Sequence, residues 1–117
     1  MPDVQRVSTP FSYSSAVVAG DTAYLSLHRG FGETFADQLR GAFDALAGTL
    51  GQVGMTAASL VKVTVWLREI TDLREMEQLF RDFFPEGRFP ARMTATTEFV
   101  DADCMVMIEG IAYREAS

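Results

Sequence analysis

Leu60-Val61-Lys62-Val63-Thr64-Val65-Trp66-Leu67 is the stretch whose reading decides the fold class. Val61, Val63, Val65 and Leu67 face one way; Lys62, Thr64, Trp66 and Arg68 face the other. Period two over this run is a β-strand whose faces meet different surroundings. On either side the period becomes helical. Upstream, Phe35, Leu39, Ala42, Phe43, Leu46, Leu50 and Val53 recur at three and four residues, one face of a helix. Thr34 with Asp37 resembles a capping box before it, and Gly54 is its stop. Gly41, Gly48 and Gly51 lie inside this helix, each costing about 1 kcal/mol relative to Ala. Gly41 and Gly48 are seven apart, share a face, and are expected to admit another backbone closely. Downstream, a second helix is expected from about Asp72 to Phe83. Asp72 and Glu75 cap it, Leu73, Met76, Phe80 and Phe83 form its stripe, and Pro85 ends it.

Further out the chain is extended. Val4 to Val7 reads as a first strand. Ala16 to Ala19 and Thr22 to Ser26 flank Gly20-Asp21, a two-residue hairpin. A loop runs from Leu27 to Glu33, another from Pro85 to Phe89. Strands are expected near Ala91 to Phe99 and from Cys104 to Tyr113, separated by a turn at Val100 to Asp103. The order is β-β-β-α-β-α-β-β, an α+β domain with two helices covering one face of a mixed sheet. Two helices cover one side only, yet apolar residues stand on both: Val106 and Ile108 alternate with Met105, Met107 and Ile111. An uncovered apolar face predicts a homo-oligomer with clefts between subunits.

Length and composition agree. The chain has 117 residues, read as one domain over 1–117, with 48% hydrophobic and 22% charged residues. Its net charge of -6, with ten Lys and Arg together, makes it a poor ligand for phosphate backbones. One cysteine, Cys104, excludes an internal disulfide or a multi-Cys zinc site and suggests an intracellular, cytoplasmic protein. One histidine, His28, excludes a multi-His metal site within the chain. No apolar run reaches the ~18 residues of a membrane span, and the N-terminus has no signal-peptide core.

Several segments resemble the Rid family, also called YjgF, the reactive intermediate deaminases. They are Tyr13 to Ser26, with its hairpin; Gly54 followed by Leu60 to Leu67; Phe83-Phe84; Phe89-Pro90-Ala91-Arg92-Met93; and Ile108-Glu109-Gly110-Ile111-Ala112. They span nearly the whole chain in the family's order, and Pro90-Ala91-Arg92 is the most specific. The resemblance implies a chorismate-mutase-like fold and a homotrimer whose sheets close a central barrel, with clefts at the interfaces. It implies hydrolysis of 2-imino acids, including 2-aminoacrylate, to 2-oxo acids and ammonia, with no cofactor. Arg92 corresponds to the ligand of the substrate carboxylate, a role a planar, permanently charged guanidinium suits. Tyr13 matches a tyrosine at the cleft mouth, and Ser26 a serine ending a strand near the ligand. The backbone N–H of Leu27 is a second candidate anchor for the carboxylate.

The departures are equally specific. The deaminases carry a water-positioning Glu two residues before the one matching Glu109; here Met107 stands there, a weak acceptor and no base. Their Gly-Gln after the serine is Leu27-His28, a helix Asn aligns with Glu77, and a common Cys two after the arginine is Thr94. His28, expected in a loop at the cleft rim, is a candidate replacement base, against an exposed loop histidine with no role. Glu109 shares its face with Met107 and either serves the site or pairs with Arg92 or a neighbouring subunit. Three functions follow in order: a cofactor-free hydrolase of small imino or enamino acids held by Arg92; a non-catalytic trimeric module binding 2-oxo or related carboxylates; and the endoribonuclease activity ascribed to some of the family, against which the acidic balance counts. Leu27, His28 and Phe31 make the rim bulkier than Gly-Gln would.

Overall fold

A computed structural model describes residues 3–115. In it the Leu60–Leu67 strand lies in a six-stranded sheet, between the last strand and an edge strand. The strands are β1 (Val4–Ser8), β2 (Ser14–Ala19), β3 (Thr22–His28), β4 (Leu60–Leu67), β5 (Ala91–Thr96) and β6 (Val106–Tyr113), in spatial order β1-β2-β3-β6-β4-β5. All neighbours are antiparallel except β4 and β5, which are parallel and joined through helix α2 (Leu73–Phe83). Helix α1 (Phe35–Gln52) connects β3 to β4. The expected α+β order of strands and helices is the observed one, with β5 and β6 each shorter than expected.

The turns follow from residue chemistry. Gly20 takes a φ of +61° at the first central position of the two-residue hairpin, where Ala19 pairs with Thr22. The Thr34 side chain accepts from the Asp37 N–H at 3.1 Å and caps α1. Asp72 precedes α2 but makes no side-chain cap bond. Within α2, Met76, Leu79 and Phe80 are buried, whereas Leu73 is about two-fifths exposed. Phe43 of α1 stacks on Phe83 with ring centroids 4.1 Å apart and meets Phe80 edge-on at 5.4 Å, fixing the helices to each other.

Two irregularities in the sheet reassign faces. The β4–β6 register shifts between Leu60 and Lys62, so Leu60 is buried and Val61 is half exposed, contrary to strict alternation. A second shift lies in β3, where Leu25 pairs with Gly110 and His28 with Ile108. Ser26 and Leu27 therefore stand opposite Glu109 alone, the arrangement of a β-bulge. The bulge returns His28 to the helix side as a strand residue, not a loop residue at a cleft rim.

There His28 is buried. Its Nδ1 lies 2.6 Å from the Ser26 carbonyl oxygen and its Nε2 2.8 Å from Thr49 Oγ1 of α1. A carbonyl only accepts, so Nδ1 carries the proton and Nε2 accepts from the Thr49 hydroxyl. The lone pair a general base needs is already engaged inside the core, which corrects the expectation that His28 replaces the missing carboxylate.

The glycines of α1 differ. A Cβ on Gly41 would sit 2.7 Å from the Cα of Gly30, so the loop after β3 rests directly on the helix at this point. Gly48 faces open space, and the expectation that both admit a backbone holds for Gly41 alone. Gly41→Ala should lower stability by about 1–3 kcal/mol through backbone displacement. Gly48→Ala should raise it by about 0.5–1 kcal/mol through helix propensity; urea denaturation of both variants checks the pair.

His28 also sets a pH response. Burial pushes its pKa below the ordinary 6.5, opposed by the bond to the Ser26 carbonyl. The unfolded chain takes up a proton as pH falls below 6.5 while the folded chain resists it, so stability is full above that value and declines below it. His28→Gln should remove that proton uptake from the stability curve. Its slope below 6.5 should be shallower than the parent's by up to about 1.4 kcal/mol per pH unit, read by denaturation at a series of pH values.

Candidate functional site

The sheet face opposite the helices carries Tyr24, Ser26, Thr64, Trp66, Met93, Met107, Glu109 and Ile111, and no helix among the described residues lies over it. At one end of this face is a groove of about 600 Å³, lined by Tyr13, Ser26, Leu27, Trp66, Phe99, Cys104, Met107 and Glu109 among others. Strands β3, β4 and β6 each contribute for a local reason. Alternation along β6 points Met107 and Glu109 the same way, away from the buried Val106 and Ile108. Register places Trp66 beside Met107 and Thr64 beside Glu109. The bulge in β3 presents Ser26 and Leu27 together. The Ser26 hydroxyl donates to the Ser15 carbonyl at 3.3 Å, leaving its lone pairs as acceptors. Tyr13, exposed ahead of β2, stacks parallel to Phe11.

Glu109 is the acid of the groove that stands on the sheet floor. Its Oε1 accepts from the Trp66 indole Nε1–H at 2.9 Å. Within the chain the carboxylate is thus fixed by an indole and not by Arg92, which pairs with Glu77 instead. Cys104 sits fully buried at the groove wall, its thiol donating weakly to the Val106 carbonyl at 3.4 Å; burial raises its pKa. It precedes β6 instead of opening it.

The wall formed by residues 97–105 is pinned from beneath. Arg29, whose side chain is 9% exposed, bonds Asp101 at 3.0 Å and Asp103 at 3.3 Å and lies 4.2 Å from the Phe31 ring centroid. These bonds hold the Asp103 carboxyl below the usual aspartate range. Arg68 donates to the Ala102 carbonyl. Gln38 of α1, 1% exposed, donates to the carbonyls of Gly32 at 3.1 Å and Asp103 at 2.9 Å and accepts from the Met105 N–H at 2.8 Å. Sequence reasoning missed Gln38. Its signal is a long polar side chain on the apolar stripe, three residues after Phe35 and four before Ala42.

Arg92 lies elsewhere. On β5 it is in register with Val63, hence on the helix side of the sheet, and Thr94 follows on the same side beside Val65. Its Nη2 donates to Glu77 Oε1 at 2.6 Å, and its guanidinium stands 4.9 Å from the Phe80 ring centroid. Glu77 is shared with Arg81 at 3.2 Å. Arg92, Glu77, Phe80, Arg81, Phe89 and Pro90 line a recess of about 250 Å³. Within one chain the candidate residues therefore form two half-sites on opposite sheet faces: Tyr13, Ser26, Leu27, Met107 and Glu109 in the groove, Arg92 and Thr94 on the helix side. Among the described residues no group of three or more His, Cys, Asp or Glu is gathered as metal ligands. Among the described residues no helix is long and apolar enough to cross a membrane.

Known proteins share this fold. The family model described as endoribonuclease L-PSP matches residues 4–114. A RutC family protein of Pyrococcus horikoshii is 28% identical over 111 residues, covering 88% of this chain and 87% of its own. A 2-iminobutanoate/2-iminopropanoate deaminase of Dermatophagoides farinae is 28% identical over 123 residues, covering 93% and 95%. Among solved structures, a YjgF family member from Neisseria meningitidis superposes with a TM-score of 0.92 at 26% identity over 98% of both chains. RidA from an Antarctic Psychrobacter does so at 0.84 and 25% over 97% of this chain and 100% of that one. The sheet order, the two-helix layer and a match across almost every described residue lead to one assignment: the chain belongs to the endoribonuclease L-PSP family, the family of the YjgF and Rid proteins.

Proposed function

We propose that the chain is a cofactor-independent deaminase hydrolysing 2-imino or enamino acids to 2-oxo acids and ammonia, in clefts between copies of a homotrimer. The observation that carries this reading is Glu109: the groove keeps an oriented carboxylate one strand repeat from Met107, where the deaminases have theirs. The two half-sites support the assembly. Arg92 of one copy and the groove of the same copy lie on opposite faces, so a single small substrate engages both only if the arginine comes from a second copy.

The reaction needs little machinery, because imine hydrolysis requires chiefly a bound carboxylate and a placed water. Arg92 holds the substrate carboxylate through charge-assisted bonds, displacing or sharing Glu77. Glu109, its Oε1 anchored by Trp66, takes a proton from a water as the water oxygen bonds to C2 of the protonated imine and the C=N π electrons move to nitrogen, leaving a neutral amine. Tyr13 and Ser26 offer hydroxyls to orient that water. The proton on Glu109 then passes to the nitrogen of the tetrahedral adduct. The C–N bond breaks to release ammonia, and the oxygen's remaining proton is lost as C=O forms.

A second reading is a trimeric module that binds 2-oxo acids and turns nothing over. The Arg92–Glu77 pair and the loss of a carboxylate at Met107 favour it. The name of the family model includes endoribonuclease, but a net charge of -6 opposes gripping a phosphate backbone.

Imines generated in situ from a panel of amino acids by an amino-acid oxidase separate the first two readings. Turnover should be measurable, and Glu109→Gln should lower kcat at least a hundredfold, the scale of a lost general base. Arg92→Ala should cost at least tenfold in kcat/KM, mostly through KM, and more than tenfold in 2-oxo acid affinity. Binding without turnover in the parent chain would select the module. Light scattering at micromolar concentration should give the mass of a trimer; a stable monomer would remove the shared cleft.

A further inference from the structure

Arg92 already holds a carboxylate. Its Nη2 donates to Glu77 Oε1 at 2.6 Å, and among the described residues its guanidinium makes no other hydrogen bond. A guanidinium offers a carboxylate two bidentate edges, Nη1 with Nη2 and Nε with Nη2, and Nη2 belongs to both. Glu77 therefore takes a hydrogen from one edge and sets a negative charge beside the other. A second carboxylate at Arg92 either displaces Glu77 or binds against its charge, and both weaken the hold. Arg92 and Glu77 belong to the same copy, so the pair needs no second copy to form. We infer that Glu77 is an internal competitor that sets the affinity of Arg92 for the substrate carboxylate. This rests on the reading of Arg92 as the carboxylate anchor and adds how the strength of that anchor is set.

Two neighbours make this contact exchangeable. Glu77 Oε2 lies 3.2 Å from the Nε of Arg81, one helical turn further along α2. When Glu77 leaves Arg92, its charge keeps that partner. The Arg92 guanidinium also stands 4.9 Å from the Phe80 ring centroid, a cation–π contact that does not involve Glu77. Neutralising Glu77 therefore leaves Arg92 its aromatic neighbour, and the change in carboxylate binding follows the charge. Glutamine at this position isolates that charge, because its amide oxygen still accepts from Nη2. A loss of positioning would weaken carboxylate binding; a loss of competition strengthens it. The two roles thus differ in sign.

Calorimetry with 2-oxopropanoate on the full chain is the binding arm of the test. Glu77→Gln should tighten Kd about three- to fivefold, the scale of a partly exposed ion pair. Glu75→Gln removes the same charge from the first turn of α2, outside the Arg92 recess, and should move Kd by less than about 1.5-fold. Arg92→Ala should weaken binding more than about tenfold. In the kinetic arm, with the imine formed in situ from alanine, Glu77→Gln should lower KM by the same factor as Kd. A Glu77→Gln affinity equal to or below the parent's, with Arg92→Ala weakened, would overturn the inference and leave the anchor standing. Equal gains in Glu75→Gln and Glu77→Gln would overturn it too, as an effect of net charge alone. Tighter binding in Glu77→Gln alone, with no turnover of the imine, would uphold the inference and remove the deaminase reading. Arg92→Ala binding as well as the parent, or no binding by any of the chains, would remove the anchor and the inference with it.

Discussion

Where β3 passes β6, Ser26 and Leu27 share a single opposing residue, Glu109, and the chemistry on both faces of the sheet follows from that extra residue. Without it, period two would direct His28 to the groove side and Leu27 into the core. With it, Leu27 becomes a groove wall and His28 a buried strut tying β3 to Thr49 of α1. The neutral imidazole is fully hydrogen-bonded only in one tautomer. The same irregularity that shapes the groove therefore commits the chain's one histidine to the core and leaves the groove floor to Glu109.

The groove's position also depends on a backbone contact that admits no side chain. Gly30 and Gly41 meet Cα to Cα, bringing the loop after β3 down onto α1. From there Arg29 reaches two aspartates of the 97–105 segment, and Gln38, one turn before Gly41, closes three backbone bonds beneath it. A buried amide with every bond satisfied is worth more as a specifier of one geometry than as a source of net stability. It gives the groove a wall that stands ready before any ligand binds.

Arg92 is held more loosely. Its partner Glu77 is about two-fifths exposed, and ion pairs in such settings contribute little to stability. In the proposed reaction a substrate carboxylate replaces or joins Glu77 at small cost. Phe80 of α2 lies beneath the guanidinium, its ring centroid 4.9 Å away, and Arg92 itself stands on the edge strand β5 of the sheet.

The elements and their order were legible in the sequence because they rest on local periodicity. The alternation through Leu60–Leu67, the three-and-four spacing from Phe35 to Val53, Gly20 in its hairpin and Pro85 after α2 all act within a few residues. Pro90-Ala91-Arg92 and Ile108 to Ala112 likewise carried the family. Side-chain facing at irregular points was decided by tertiary structure alone. A one-residue bulge inverts every later side chain of a strand, and its position depends on the partner strand, so the placements of Val61, Leu27 and His28 followed β6 and not their own neighbours. The bond between Trp66 and Glu109 joins residues 43 apart in the chain, and that of Gln38 to Asp103 residues 65 apart. Such pairings exist only once the sheet register is set, because no local spacing encodes which strand will lie alongside.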